Sequence, residues 1–299
     1  MSNLTLNPNA IGIEFLSSSV LADLLLLDYT ARNTTLLRLE EDEGRIDFIG
    51  TGFTYVMNGD RIVGMPSGTV SRIEVSIEGT RLMVWSDLNV SAKQFFNFVT
   101  TRNWTALDTL LLGKADTITL SNGEDEMRGF GGNDVIRGLG SDDLLIGDAG
   151  KDTLWGDAGR DTLKGGSGAD RLDGGTGNDT LSGGTGKDRL SGGDGADVFL
   201  FDSAPNSRTN VDTITDFNAA WDTIALDRSA FAGLSRTGVL SANAFVAGSR
   251  ATDAGDRVIY HKSSGQLWFD ADGNGRGAKV LLADLVDGTA LTAADILIL

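Results

Sequence analysis

Apolar and polar residues alternate along "SRIEVSIEG", where Ile73, Val75 and Ile77 are separated by Arg72, Glu74, Ser76 and Glu78. A two-residue period of this kind marks a half-buried antiparallel strand. "RIDFIGTGFTYVMNGDRIVG" and "TRLMVWSD" predict neighbouring strands joined by Asn-Gly and Glu-Gly turns. "SAKQFFNFV" predicts a helix opened by Ser91 and Gln94 in capping-box spacing, with a further turn or two through "TALDTLLL". "VLADLLLL" (Val20–Leu27) reads as a core helix or strand, because Asp23 interrupts it and it is far too short to span a bilayer. Near the other end, "DRVIYHKSSGQLWFDADGNGRGAKVLLADL" alternates apolar stretches with Ser-Ser-Gly and Asp-Gly-Asn-Gly turns, which predicts a three-strand meander.

Between residues 111 and 200 the period becomes nine. Aligned in nines, ten consecutive segments keep one register, from "LLGKADTIT" through "GGTGNDTLS" to "GGDGADVFL". Position eight is always apolar: Ile118, Met127, Ile136, Leu145, Leu154, Leu163, Leu172, Leu181, Leu190 and Phe199. Position six is always aspartate: Asp116, Asp125, Asp134, Asp143, Asp152, Asp161, Asp170, Asp179, Asp188 and Asp197. Glycine fills position one in the last eight segments and position four in eight of the ten, so the array is built on turns rather than on helix.

These nonapeptides resemble GGxGxDxUx, the repeat of the RTX (hemolysin-type calcium-binding) family. The match covers residues 111–200 and is tightest from the fifth repeat to the tenth. It is weaker in the first two repeats, where glycines are missing, and in the fourth, where Ser141 replaces the position-four glycine. Looser or absent calcium sites are expected at that end. The resemblance implies a calcium-bound parallel β-roll in which two repeats make one coil and turns alternate between its two sides. One ladder of ion sites then uses Asp116, Asp134, Asp152, Asp170 and Asp188, and the other uses Asp125, Asp143, Asp161, Asp179 and Asp197. Ca2+ seeks six to eight oxygens from carboxylates and carbonyls. The turn glycines Gly147, Gly150, Gly156, Gly159, Gly165, Gly168, Gly174, Gly177, Gly183, Gly186, Gly192 and Gly195 let the backbone approach the ion. An acidic chain rich in glycine stays disordered until its carboxylates are neutralised, so folding and calcium binding form one equilibrium.

Composition sharpens this reading. All eight glutamates lie at or before Glu126, and 21 of the 40 glycines fall between Gly129 and Gly195. These breaks predict an N-terminal β-rich domain with a helix at 1–110, the β-roll at 111–200, and a C-terminal β capping and secretion region at 201–299. The fold class is mainly β. A net charge of −17 opposes nucleic acid and anionic membranes, and no segment suggests membrane insertion. Without cysteine and with the single histidine His261, thiolate sites are excluded and most zinc sites are improbable. His261 reads as a strand residue.

The region after Phe199 adds three features. "NVDTITDF…DTIAL" resembles the segment that often closes RTX rolls, with Asp212, Asp216 and Asp222 among further short strands. "DADGNG" (Asp270–Gly275) resembles the start of an EF-hand loop, but its twelfth position is Leu281, which favours a plain hairpin turn over an extra calcium site. The terminal "TAADILIL" resembles the end of type I secretion substrates and also fits a last core strand. "MSNLTLNPNA" lacks the basic start and apolar stretch of a cleavable signal. The resemblance thus implies export by the type I secretion machinery of a Gram-negative bacterium and a secreted, extracellular or surface location.

There is no HExxH, GxSxG, P-loop or dinucleotide fingerprint, so the expectation is that the chain is not an enzyme. The acidic "LEEDEG" (Glu40–Glu43 at its centre) is the obvious place for a carboxylate pair, but consecutive carboxylates at a hairpin tip are usually just solvated. The favoured function is a calcium-binding protein of the bacterial surface or extracellular matrix, adhesive or self-assembling, with a cell-surface or polysaccharide partner. The alternative is a carbohydrate-active enzyme or accessory module acting on extracellular polysaccharide.

Overall fold

The computed structural model describes residues 112–299 apart from 235, 276, 287 and 288, together with the strand residues that precede them. The predicted helix at "SAKQFFNFV" (beyond Ser91), the Val20–Leu27 segment and Glu41–Glu43 lie outside the described residues. The chain forms two compact units, Met1–Leu139 and Gly140–Leu299.

The first unit contains β1 (Asn3–Leu6), β2 (Asp28–Arg32), β3 (Leu36–Glu40), β4 (Gly44–Asn58), β5 (Arg61–Ile77), β6 (Thr80–Ser86), β7 (Val90–Ser91), β8 (Thr117–Thr119), β9 (Glu126–Arg128) and β10 (Val135–Gly140). Strands β2 to β6 form an antiparallel meander, each paired with the next. The β4–β5 register closes at Asn58↔Arg61 and the β5–β6 register at Ile77↔Thr80, where the Asn-Gly and Glu-Gly signals predict reversals. Strand β7 pairs with β5. Strand β1 changes the direction of the sheet: it runs antiparallel to β6 and parallel to β8, setting Leu4 opposite Ile118. Strand β8 in turn pairs in parallel with β10, Ile118 opposite Ile136. The meander and the first repeat strands are therefore one continuous sheet.

The second unit begins with β11 (Leu144–Ala149), β12 (Thr153–Ala158), β13 (Thr162–Gly168), β14 (Arg171–Thr176), β15 (Thr180–Gly186), β16 (Arg189–Asp194) and β17 (Val198–Phe201). These strands alternate between two parallel sheets. In one, Leu145, Leu163, Leu181 and Phe199 stand in register; in the other, Leu154, Leu172 and Leu190 do. Every one of these side chains is buried. The reason is local: along each strand, positions six, eight and one of the next repeat share an inward face, so aspartate, aliphatic and glycine point inward together. Leu163 and Leu172 are nine residues apart yet lie on opposite sheets, whereas Leu163 and Leu181, eighteen apart, stack directly. One coil is two repeats.

The tail continues the same two sheets through β18 (Asp212–Ile214), β19 (Thr223–Leu226), β20 (Gly238–Val239), β21 (Phe245–Ala247), β22 (Val258–His261), β23 (Gln266–Phe269), β24 (Val280–Asp284) and β25 (Ile296–Ile298). Strand β18 adds to β16 and β19 to β17, both in parallel, bringing Ile214 onto Leu190 and Ile224 onto Phe199. Strands β22, β23 and β24 form the predicted antiparallel meander, and β24 joins it to β18. His261 lies in its first strand, with Nδ1 2.7 Å from Ser264 Oγ. The terminal apolar residues form β25, parallel to β19, with Ile296 and Ile298 buried. No helix among the described residues is long and apolar enough to cross a membrane.

Candidate calcium-binding turns

The six residues from Gly165 to Asp170 show how a turn is made. Gly166 and Gly168 have φ of 102° and 147°, left-handed values that a side chain disfavours. A Cβ on Gly168 would also collide with the carbonyl oxygen of Gly150, so coils stack with backbone on backbone. The turn closes on Asp170, whose side chain folds back across the interior toward Gly165.

The ten aspartates are all buried, none more than 5 % exposed. Nine of them take part in one repeated bond from coil to coil. The backbone N–H of Asp152 donates to Asp170 Oδ1 at 2.8 Å, and that of Asp170 donates to Asp188 Oδ1 at 2.9 Å. On the other side Asp143, Asp161 and Asp179 donate in the same way to Asp161, Asp179 and Asp197 at 2.8–2.9 Å. In the first unit Asp116 donates to Asp134. The structure thus brings the predicted residues of the second unit together in the predicted order, and in the first unit it joins Asp116 to Asp134.

This bond employs only one oxygen of each carboxylate. Oδ2 of Asp161, Asp170, Asp179, Asp188 and Asp197 is buried and accepts no hydrogen bond among the described residues. A buried carboxylate oxygen with no donor is costly unless a cation balances it. A backbone carbonyl oxygen stands close by. The point that a Cβ on Gly165 would occupy lies 2.6 Å from Asp170 Oδ2 and 2.7 Å from the Gly183 carbonyl oxygen. At Gly147 the corresponding distances to Asp152 Oδ2 and the Gly165 carbonyl are 2.5 and 2.7 Å, and Gly156 and Gly174 repeat the arrangement. A carboxylate oxygen and a glycine carbonyl thus converge at Gly147, Gly156, Gly165 and Gly174, hard-oxygen donors of the kind that calcium prefers. The residues fit the ion.

Electrostatics agree. Burial, opposed by the bond from the preceding coil, pushes the carboxyl groups of Asp170 and Asp179 up to about 7, and those of Asp161 and Asp188 up to about 6. Neighbouring aspartates in the column add repulsion to Asp170 and Asp179. A divalent ion between such groups removes both penalties.

Non-glycine residues occupy left-handed turn positions in the third to sixth repeats, including Asp148 and Asp157 at φ 69° in position two of the fifth and sixth. Position two is Leu139 at φ 82° in the fourth repeat and Phe130 at φ 66° in the third, and position four of the fourth repeat is Ser141 at φ 69°. Bulky residues rarely adopt this region. In the second repeat, both the backbone N–H and the hydroxyl of Ser121 donate to Asp125 Oδ2 at 2.8 Å. That carboxylate is satisfied by protein.

Two residues outside the nonapeptides join the columns. Asp188 N–H donates to Asp212 Oδ1 and Asp197 N–H to Asp222 Oδ1, each at 3.1 Å. Their offsets are 24 and 25 residues rather than 18, which hides them from a nine-residue alignment. The signal available was the Asp-Thr-Ile triplet at 212–214 and 222–224, equivalent to Asp-Thr-Leu at 152–154. In the "DADGNG" loop, Asp272 Oδ2 instead accepts the N–H of Gly277 at 2.9 Å, and Asp270 Oδ1 accepts that of Asp272 at 3.3 Å.

Fold and site together define a parallel β-roll whose turns present buried carboxylates to cations. Residues 128–163 and 164–199 match the sequence model of the RTX calcium-binding nonapeptide repeat (4 copies). The chain carries RTX repeats, and these repeats bind calcium. No curated protein matches the chain. Among solved structures, a subunit of the mannuronan C5-epimerase of Azotobacter vinelandii is 24% identical, with a TM-score of 0.28, covering 62% of this chain and 78% of that one. The extracellular lipase LipA of Serratia marcescens is 17% identical with a TM-score of 0.26, and this chain spans 38% of its length.

Proposed function

We propose that this protein is exported by a type I route and folds outside the cell when calcium enters its turns, with the aspartates at position six as ligands. Extracellular calcium modules bind at roughly 10⁻⁴–10⁻³ M, well above free cytosolic levels, so such an array stays open before export and closes after it. The observation that carries the reading is the two columns of buried Oδ2 atoms, on Asp161, Asp179 and Asp197 and on Asp170 and Asp188, that accept no hydrogen bond among the described residues.

In this reading the chain is a non-enzymatic protein of the bacterial surface or extracellular matrix. The β-roll is its calcium-gated scaffold, and the long-stranded sheet of the first unit carries adhesion or self-association. Support comes from the sequence, in which none of HExxH, GxSxG, a P-loop or a dinucleotide fingerprint occurs.

Size-exclusion chromatography with light scattering, in millimolar calcium and again in chelator, tests both halves. A compact species in calcium that expands in chelator is expected, and calcium-dependent assemblies would favour self-association over adhesion to a foreign surface. An unchanged compact elution in chelator would overturn gated folding. Turnover of an extracellular polysaccharide by the purified protein would overturn the non-enzymatic assignment.

A further inference from the structure

The two aspartate columns end differently. Strand β18 pairs Thr213 with Arg189 and Ile214 with Leu190, which makes Asp212 the register counterpart of Asp188 one coil later. The Thr213 N–H donates to the Asp188 carbonyl at 2.8 Å, as the Arg189 N–H donates to that of Asp170. Strand β19 gives Asp222 the same relation to Asp197. Up to this point the two ends are equivalent.

The carboxylates are not. Asp222 spends both oxygens on protein donors: Oδ1 on the N–H of Asp197, and Oδ2 on the N–H of Asn218 at 2.7 Å. Asp212 Oδ1 takes the N–H of Asp188, and the charge of Asp188 adds to burial in raising the Asp212 carboxyl. Both groups are buried, at 2 % and 4 % exposure. Asp188 Oδ2 accepts no hydrogen bond among the described residues. In the regular coils a glycine carbonyl comes next to the position-one glycine. At Gly183 and Gly192, the last position-one glycines of the two columns, the three nearest atoms all belong to the turn's own aspartate, so the columns part only in what Asp212 and Asp222 bind next.

From this juxtaposition we infer that Asp188 and Asp212 form a further calcium site, beyond the nonapeptide array, and that the Asn218 N–H closes the other column at Asp222 without an additional ion. Two buried carboxylates on adjacent rungs need either a proton or a cation to balance their charge. The hard all-oxygen environment suits calcium. The site extends the candidate-ligand reading of the array by one coil and rests on it. It makes the roll asymmetric, with one more ion on the Asp188 side than the repeat count gives.

The test is calcium stoichiometry by equilibrium dialysis on the full chain, for the wild type, Asp212→Asn, Asp222→Asn and Asp170→Asn. Asparagine keeps the Oδ1 acceptor for the preceding N–H while removing the charge. Asp212→Asn is expected to bind one calcium fewer than the wild type, and Asp222→Asn the same number as the wild type. An unchanged count in folded Asp212→Asn overturns the terminal site, and means that a proton joins the two carboxyls. If Asp170→Asn also leaves the count unchanged, the array reading itself fails, and the two failures are thereby distinguished. Anomalous scattering from wild-type crystals grown in calcium is independent of any variant's folding. A peak between Asp188 and Asp212 is expected, and peaks at the array turns with none there would overturn the site.

Discussion

The backbone N–H of Asp161 donates to Oδ1 of Asp179, eighteen residues later, at 2.8 Å. The other oxygen of Asp179 faces inward with no donor. Each aspartate is therefore both a rung of the β-roll and a negative charge that the roll must neutralise. These two duties respond differently to substitution, pH and metal.

Asp179→Asn separates them. The amide retains the Oδ1 rung and removes a buried charge, so in chelator the variant is expected to be at least as ordered as the wild type. In calcium it loses a ligand, and its affinity is expected to fall roughly tenfold or more. Asp125→Asn is the contrast, because Ser121 already satisfies that carboxylate. It should change calcium affinity less than threefold while costing about 1 kcal/mol of stability. Calcium titrations followed by circular dichroism check both. Equal affinity losses at the two positions would contradict the assignment of Asp125 as protein-satisfied.

Acid should substitute for calcium. The carboxyl groups of Asp170 and Asp179 rise from 3.8 to about 7 on folding without metal, chiefly through burial. Asp212 is pushed up to about 8 by burial and then by the charge of Asp188. A raised folded-state value means that the folded form holds its proton more tightly. Its stabilisation is complete below 3.8 and is lost as pH rises through 6 to 8. In chelator, β-structure should therefore decrease between pH 5 and 8, and apparent calcium affinity should increase over the same interval. A metal-free roll that gains structure as pH rises would contradict this.

Gly165→Ala places a methyl where the Asp170 carboxylate and the Gly183 carbonyl converge. Loss of about 2 kcal/mol or more is expected, with calcium affinity reduced at least tenfold. Gly248→Ala is the control. Its Cβ would meet only Val246 Cγ1 at 3.5 Å, and its effect should stay within about 0.5 kcal/mol. Thermal melts in saturating calcium would show it, and similar melting shifts for both would sink the cradle.

Leu139→Gly should stabilise the protein. Leu139 sits at φ 82°, a conformation costing a side chain about 1–2 kcal/mol. Part of that gain is offset by the greater freedom of glycine in the unfolded chain, leaving roughly 0.5–1 kcal/mol. Chemical denaturation in calcium measures the balance. A destabilised variant would mean that the leucine side chain contributes packing that outweighs its strain.

The repeat was legible because its chemistry is local. Glycine at left-handed turn positions, an inward aspartate and an inward aliphatic recur at fixed spacing, and eighteen-residue stacking follows from two turns per coil. The alternation around Ile73–Ile77 and the meander around His261 were legible for the same reason, since side-chain period and turn residues lie within a few positions of each other. Two features were not. Asp212 and Asp222 occupy rungs of the columns, but detours of six and seven extra residues break the spacing that a sequence comparison follows. The role of β1 as a bridge between β6 and β8 depends on pairing residues more than a hundred positions apart, Leu4 with Ile118. Nothing near Leu4 signals that partner.

Alternation of successive strands between two sheets also sets the step by which this molecule can change length. Removing eighteen residues, such as 165–182, takes away one strand from each sheet and brings Leu154 onto Leu190 and Leu163 onto Phe199. The stack shortens by one strand spacing, about 4.8 Å, with every side chain still on its own side. Removing nine leaves the local pattern equally regular but sends every later strand to the opposite sheet. Strands β18 and β19, with their unequal detours, then meet the wrong partners. For this chain the heritable unit is the pair, and an odd count is a fault in parity that no single residue reveals.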